Sequence, residues 1–260
     1  MFVKNSSNLR LVLNFKKRQN IKMGSLKDKV VIITGASKGI GRALAIQAAQ
    51  QGAHLALIAR SKTELKAVQV ECAAQGAKCL IFVGSVSSEK LANETIQTVL
   101  ETFGSIDFMI NNAGYGILGS TESYSEAAWS DLYDTNVKGT FLFCKAVLPA
   151  MKAAGRGHII NVASDVAKRV FEGGALYCSS KFAQDAFSAA LRKEVRKNGI
   201  KVSVVYSGLV DTPFHPNPYS EEKKTWLRDS DMADSILFMM SQPAHVVIDE
   251  LMIHPLSQEY

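Results

Sequence analysis

From Lys29 onward, short runs of aliphatic and β-branched residues alternate with longer stretches whose apolar positions recur every three or four residues. The runs "KVVIIT" (29–34), "HLALIA" (54–59), "KCLIFV" (78–83), "IDFMIN" (106–111), "HIINVA" (158–163) and "KVSVVY" (201–206) have the length of strands. Their near-continuous apolar character fits strands covered on both faces. Between them the helical period predicts helices over 42–51, 61–75, 88–102, 126–154 and 175–198. Gly52 stands where the first helix would end, and Ser61 with Glu64 three residues on has the spacing of a capping box. A helix over about 230–241 and a last strand in "VVIDELMI" (246–253) close the pattern. Strand–helix alternation of this kind predicts a single Rossmann-type, doubly wound α/β domain, with a parallel sheet of about seven strands and helices on both faces. The Pro-rich "TPFHPNPYSEEK" (212–223) reads as a loop, and a short substrate loop is expected near 212–230.

Charge changes the picture only at the N-terminus. The chain carries a formal charge of +6, yet residues 1–27 hold seven Lys or Arg and no acid, leaving 23 basic against 24 acidic residues beyond them. The domain over 26–260 is therefore expected to bind no nucleic acid. Residues 1–25 read as a basic leader outside the fold, or as sequence upstream of a start at Met23, with organellar import as the alternative to a cytoplasmic location. No apolar run approaches the about 18 residues of a membrane span, so no membrane partner is expected. The four cysteines (Cys72, Cys79, Cys144, Cys178) lack C-x-x-C spacing and read as reduced thiols. The five histidines form no ligand pattern, and no metal is expected.

Candidate chemistry begins directly after the first strand, at "TGASKGIGRA". Gly35, Gly39 and Gly41 follow a G-x-x-x-G-x-G spacing between a strand and a helix, where bare backbone approaches a pyrophosphate and the helix N-terminus faces it. Ser37, Lys38 and Ile40 belong to the same turn. The second strand ends in "LIARSK", with Arg60 where an acid would accept hydrogen bonds from an adenosine ribose. Lys38 and Arg60 converging on a 2′-phosphate favour NADP(H) over NAD(H); the alternative is a pair of solvated surface charges.

Two Tyr-x-x-x-Lys pairs occur, Tyr177/Lys181 and Tyr219/Lys223. The first lies in a predicted helix, where four-residue spacing puts both side chains on one face. Ser164 stands thirteen residues before Tyr177, at the end of a strand. The second pair follows three prolines in a loop, with Tyr206 thirteen residues upstream, and reads as a decoy or a pocket wall.

With these residues together, the chain from about Leu26 to Thr212, and more loosely to the C-terminus, resembles the short-chain dehydrogenases/reductases. "TGASKGIG" is similar to that family's cofactor turn, and "NNAG" (Asn111 to Gly114) to its motif after the fourth strand. "DTNVKG" supplies Asn136, "INVAS" supplies Ser164 and "YCSSK" supplies Tyr177 and Lys181. The resemblance implies that Asn136, Ser164, Tyr177 and Lys181 are catalytic. It also implies that Asn112, Ala113 and Gly114 line the cofactor, and that Gly208, Val210 and Thr212 ("G-x-V-x-T") border its carboxamide. Two positions depart from the pattern: Ser85-Val86 stands where the family often has Asp-Val against the adenine, and Ser207-Gly208 where it usually has Pro-Gly.

The activity implied by the resemblance is that of an NADP(H)-dependent carbonyl reductase or alcohol dehydrogenase acting on a small-molecule carbonyl or alcohol. Tyr177 is the acid–base group, with a reference pKa of about 10 that a nearby Lys181 ammonium is expected to lower. Lys181 also grips the nicotinamide ribose, Ser164 holds the carbonyl oxygen, and Asn136 holds a water leading to solvent. Two alternatives stand beside this: a 3-oxoacyl-thioester reductase, and a non-catalytic NADP(H)-binding sensor or scaffold. Cys178, Ser179 and Ser180 read as packing residues beside Tyr177. Trp129 and "FLFCKAVL" read as core or as the interface of a homodimer or homotetramer.

Overall fold

A computed structural model describes residues 26–214 and 221–259; the basic leader over 1–25 and Tyr219 lie outside the described residues. The main sheet contains β1 (Val30–Thr34), β2 (His54–Ala59), β3 (Cys79–Val83), β4 (Phe108–Asn111), β5 (Gly157–Val162), β6 (Ile200–Ser207) and β9 (Glu250–Ile253). Its order is β3-β2-β1-β4-β5-β6-β9, and every neighbouring pair is parallel. This is the expected doubly wound sheet of seven strands.

The alternation along β1 shows how both faces become core. Val31 and Ile33 join the apolar cluster under α1 (Gly39–Gln50), α2 (Lys62–Ala74) and α7 (Asp229–Met240). Val30 and Ile32 face the opposite cluster under α3 (Glu89–Phe103), α5 (Gly139–Ala154) and α6 (Ala175–Val195). Full burial of each such side chain contributes roughly 1.5–3 kcal/mol, which is why the strands read as continuous apolar runs. Ser61 and Ser88 cap α2 and α3 by accepting the N–H of Glu64 and Leu91.

Two elements differ from expectation. The helix expected over 126–154 is interrupted: α4 (Glu126–Tyr133) passes into a π-turn over Asp134–Lys138 before α5 begins. The wide turn carries Asn136 inward, and Thr140 Oγ1 donates to the Asn136 carbonyl at 3.0 Å. Insertions of this kind are frequent at functional sites. The last strand is also shorter than 246–253, because only Glu250–Ile253 pairs with Val204–Ser207. The Asp249 carbonyl still accepts the Val204 N–H and adds a bond from Arg192, but further upstream Lys201 Nζ donates to the carbonyls of Val246 and Pro243. A small pair, β7 (Val210–Asp211) with β8 (Leu227–Arg228), fastens the two ends of the loop expected near 212–230.

Strand order reverses between β1 and β4, since β2 and β3 lie on one side and β5, β6 and β9 on the other. In such sheets ligands bind outside the carboxyl ends of the strands at that point. There the chain gathers the Gly35 turn, Asn112, Ser164 and Ser207, which follow or end β1, β4, β5 and β6.

Candidate active site

The glycine turn is built by contact with the neighbouring strand. Gly35 has φ +66°, and a Cβ there would lie 2.8 Å from Ala113 Cα; one on Gly41 would lie 2.3 Å from the Gly35 carbonyl oxygen. Only glycine permits this approach of α1 to β1 and β4. Asn112 braces the turn by donating to the Thr34 and Gly35 carbonyls at 3.0 and 3.2 Å, while Thr34 Oγ1 accepts the N–H groups of Asn112 and Ala113. Gly41 and Asn112 thus shape the turn from behind or beside it. No side chain caps α1 and no acid stands in its first turn, in contrast to α2, α3 and α4, whose Ser caps accept an N–H.

A cavity of about 720 Å³ runs from this turn across the sheet edge. At one end its wall contains Ser37, Lys38, Arg60 and Ser61, with Glu64 close by; Gly84, Ser85 and Val86 follow. Gly35, Gly39, Ile40, Asn112, Ala113 and Gly114 form the middle. At the other end stand Gly116, Val162, Tyr177, Lys181, Ser207, Thr212, Pro213 and Phe214, while the Tyr115 phenol, also on the wall, is under the influence of Asp131 and Arg60. The structure therefore brings most of the expected residues to one cavity. Gly41, Asn136, Ser164, Gly208 and Val210 are not on its wall and stand behind it. Ser85 Oγ, at the position of the expected carboxylate, pairs with Ser87 Oγ at 2.8 Å.

Behind the far end lies a buried polar network. Asn136 Oδ1 accepts the Tyr115 N–H at 3.0 Å, and its amide donates to the Tyr115 carbonyl and to Ser180 Oγ. Lys181 Nζ donates to the Val162 carbonyl at 3.2 Å and to Gln184 Oε1 at 3.1 Å. Gln184 in turn donates to Thr140 Oγ1 at 2.9 Å. Ser180, read from sequence as a packing residue, is a member of this network. Tyr177 is half-buried, lies beside Ser164, and is covered by Phe214, whose ring lies 5.6 Å away.

The electrostatics correct one expectation. Lys181 does not lower Tyr177: its Nζ sits 5.9 Å from the Tyr177 ring centroid. Burial pushes Tyr177 up to about 12, against the Ser164 hydrogen bond, and Asp165 adds to the rise. Burial likewise lowers Lys181 to about 8. Desolvation of both groups outweighs their mutual influence.

Several residues of the site were not singled out from sequence: Tyr115, Thr140, Asp165, Gln184 and Phe214. Gln184 was within reach of sequence reasoning, since it lies three residues beyond Lys181 on the same helix face. Cys178 packs against Gly174, and burial raises its thiol, in keeping with a packing role. In "FLFCKAVL" the side chains of Leu142, Phe143, Cys144 and Val147 are core, while Phe141 and Trp129 are exposed. Lys223 is buried beside Asp211, at 3.6 Å. Among the described residues no helix is long and apolar enough to cross a membrane.

A parallel sheet wound on both faces, with a glycine turn and a cavity at its switch point, defines an α/β protein of the Rossmann type. Residues 29–223 match the short chain dehydrogenase family, and the chain belongs to that family of oxidoreductases. It is 33% identical over 233 residues to an uncharacterized oxidoreductase of Staphylococcus aureus (strain MRSA252), covering 90% of this chain and all of that one. Its fold is similar to that of an alcohol dehydrogenase from the archaeon Thermococcus sibiricus complexed with 5-hydroxy-NADP. That likeness has a TM-score of 0.84 and 31% identity over 89% of this chain and 98% of the other. The closed form of serine dehydrogenase complexed with NADP+ is similar at a TM-score of 0.82 and 27% identity, covering 89% and 96%.

Proposed function

We propose that the protein is an NADP(H)-dependent oxidoreductase that moves a hydride between the nicotinamide and a carbonyl or secondary alcohol, with Tyr177 as the acid–base group. The observation that carries this reading is the placement of Tyr177 in the wall of the same cavity that holds the glycine turn, Lys38 and Arg60, with Ser164 behind it.

The residues fit a dinucleotide phosphate. The first turn of α1 has neither a side-chain cap nor an acid, so its N–H groups and positive end suit a pyrophosphate. Lys38 and Arg60 at the adjoining wall suit a 2′-phosphate, and two similar structures are of proteins complexed with NADP+ or a hydroxylated NADP. Gly114, Lys181 and Thr212 would border the nicotinamide end.

When bound, the cofactor supplies or accepts the hydride. Tyr177 Oη gives its proton to the carbonyl oxygen in reduction and takes it back in oxidation. At about 12, the phenol is protonated across the neutral range, the form that donates in reduction. Ser164 holds Tyr177 and the substrate oxygen in register. Lys181 and Gln184, tied through Thr140 to the π-turn at Asn136, form a buried polar path behind Tyr177. Pro213 and Phe214 give the substrate end an apolar lining, with the Phe214 ring 5.6 Å from that of Tyr177.

The test is oxidation of NADPH and, in parallel, NADH against a mixed panel of ketones, aldehydes, 3-oxoacyl thioesters and 2-oxo acids. Turnover with NADPH is expected, and Tyr177→Phe is expected to reduce it by about 100-fold or more while NADPH binding persists. A fully active Tyr177→Phe would refute the mechanism; tight NADPH binding without turnover would favour the sensor. The exposed aromatics Trp129, Phe141 and Phe182 support assembly as a homodimer or homotetramer, read by light scattering.

A further inference from the structure

Ser164 lies beside Tyr177 and is held from behind. Its hydroxyl donates to Asp165 Oδ1 at 3.0 Å, with the Ser207 carbonyl a longer alternative at 3.3 Å, and accepts the Val166 N–H at 3.5 Å. Asp165 is itself buried at 3% exposure. Its other oxygen, Oδ2, accepts two bonds from Arg169, at 2.9 and 2.5 Å, and one from Gln258 Nε2 at 2.8 Å. His254 Nε2 approaches the same oxygen at 3.4 Å. Oδ2 is thus satisfied by side chains, and Oδ1 is directed to Ser164.

Gln258 makes a second bond that extends the arrangement. Its Oε1 accepts the N–H of Leu209 at 2.7 Å, next to Gly208. A Cβ on Gly208 would lie 2.3 Å from Gln258 Oε1 and 2.6 Å from His254 Cδ2. The bare backbone at 208 therefore makes room for the C-terminal segment, which reaches between the loop after β6 and the serine after β5. Gly208 N–H also donates to the Ile253 carbonyl at 2.8 Å, holding this segment in line with β9.

We propose that Asp165 is a positioning residue for Ser164, and that the C-terminal segment, through Gln258, is part of the scaffold that holds the reacting pair. A hydroxyl has one proton. While Asp165 takes it, and the Val166 N–H binds the same oxygen at 3.5 Å, Ser164 Oγ is held at a fixed point beside Tyr177. The proposal rests on the reading of Tyr177 and Ser164 as the reacting pair.

The test is a double-mutant cycle of Ser164→Ala and Asp165→Asn in the full chain, read on two observables. The first is kcat with the best carbonyl of the panel, with NADPH affinity and melting temperature measured alongside. Asp165→Asn is expected to lower kcat about tenfold when Ser164 is present and less than about twofold in the Ser164→Ala background. Equal losses in both backgrounds would mean a merely structural role and overturn the proposal. Should Asp165→Asn fail to fold, Gln258→Met removes both Gln258 bonds at similar bulk and carries the same cycle.

The second observable needs no substrate: the titration of Tyr177 followed by NMR of tyrosine labelled at Cζ, assigned with Tyr177→Phe. Asp165→Asn removes a nearby negative charge and weakens the acceptor that holds the Ser164 proton, which can then turn to Tyr177, so Tyr177 titrates at lower pH. In the Ser164→Ala background only the charge contribution remains, and the shift is smaller. Cys178 and Lys181, which also face Tyr177, are unchanged throughout the cycle. Identical shifts in both backgrounds overturn the proposal. A wild type that turns over no carbonyl would instead sink the reading of function, and the titration cycle would still decide the role of Asp165.

Discussion

Replacing Lys181 by Met removes a charge from the interior and leaves a stem of similar length. Lys181 is 4% exposed, and burial lowers it from 10.5 to about 8. The unfolded chain keeps this proton up to about pH 10.5, whereas the folded protein releases it above about pH 8. Between those values the unfolded state binds more protons, so wild-type stability rises with pH. The whole shift corresponds to about 3 kcal/mol at 1.36 kcal/mol per unit. Between pH 7 and pH 9.5 the share recovered is about 2 kcal/mol.

Lys181→Met has no such group, so its stability lacks this rise. The variant also leaves the Val162 carbonyl and Gln184 Oε1 without their donor, at about 1 kcal/mol each. That cost is independent of pH and cancels in the comparison. Tyr177, pushed up to about 12, destabilises the fold only as pH passes about 10, and does so in both proteins. Urea unfolding followed by circular dichroism at the two pH values gives four free energies. The wild type is expected to gain about 2 kcal/mol more than the variant on going to pH 9.5, or about 4–8 °C in Tm. Parallel pH dependence in the two proteins would refute burial as the force acting on Lys181.

Two other expectations concern the same cavity. Arg60→Asp should weaken NADPH binding by at least about tenfold, the equivalent of one charge-assisted hydrogen bond, while NADH binding changes little; fluorescence titration reads both, and equal affinities for NADPH in the two proteins would sink the assignment of Arg60. Gly41→Ala places a Cβ 2.3 Å from the Gly35 carbonyl oxygen and should cost about 2 kcal/mol through a forced shift of α1, measured by chemical unfolding; a variant as stable as wild type would show that the turn can widen without loss.

The hydrophobic pattern was enough to place the strands and helices of the sheet, because burial on both faces demands continuous apolar runs and α-helices bury one stripe. Ser61 marked a helix start for a local reason, its hydroxyl reaching an N–H three residues on. The Tyr177–Lys181 pair and Ser164 were legible for the same kind of reason, together with the family resemblance. Long-range contacts were not legible. The π-turn at Asn136 exists because its side chain binds the backbone of Tyr115, 21 residues away, and no local propensity announces that. The last strand was overestimated because Val246–Asp249 is as apolar as the strand beside it, while the Val246 carbonyl is held by Lys201 from elsewhere in the chain.

The same division runs through the site. Helical spacing determines that Lys181 stands one turn from Tyr177, and suggests that the lysine lowers the phenol. Only the tertiary structure decides that Lys181 is buried and Tyr177 half-buried, and that desolvation raises the phenol to about 12 and lowers the lysine to about 8. Asp165 follows Ser164 in the chain, but its partner Gln258 comes from 93 residues further on. Residue type and spacing determined which groups are present and on which element each stands. What each group faces, and how much water remains around it, depends on segments brought together from across the chain, and those two quantities set the charge and aim of Tyr177 and Lys181.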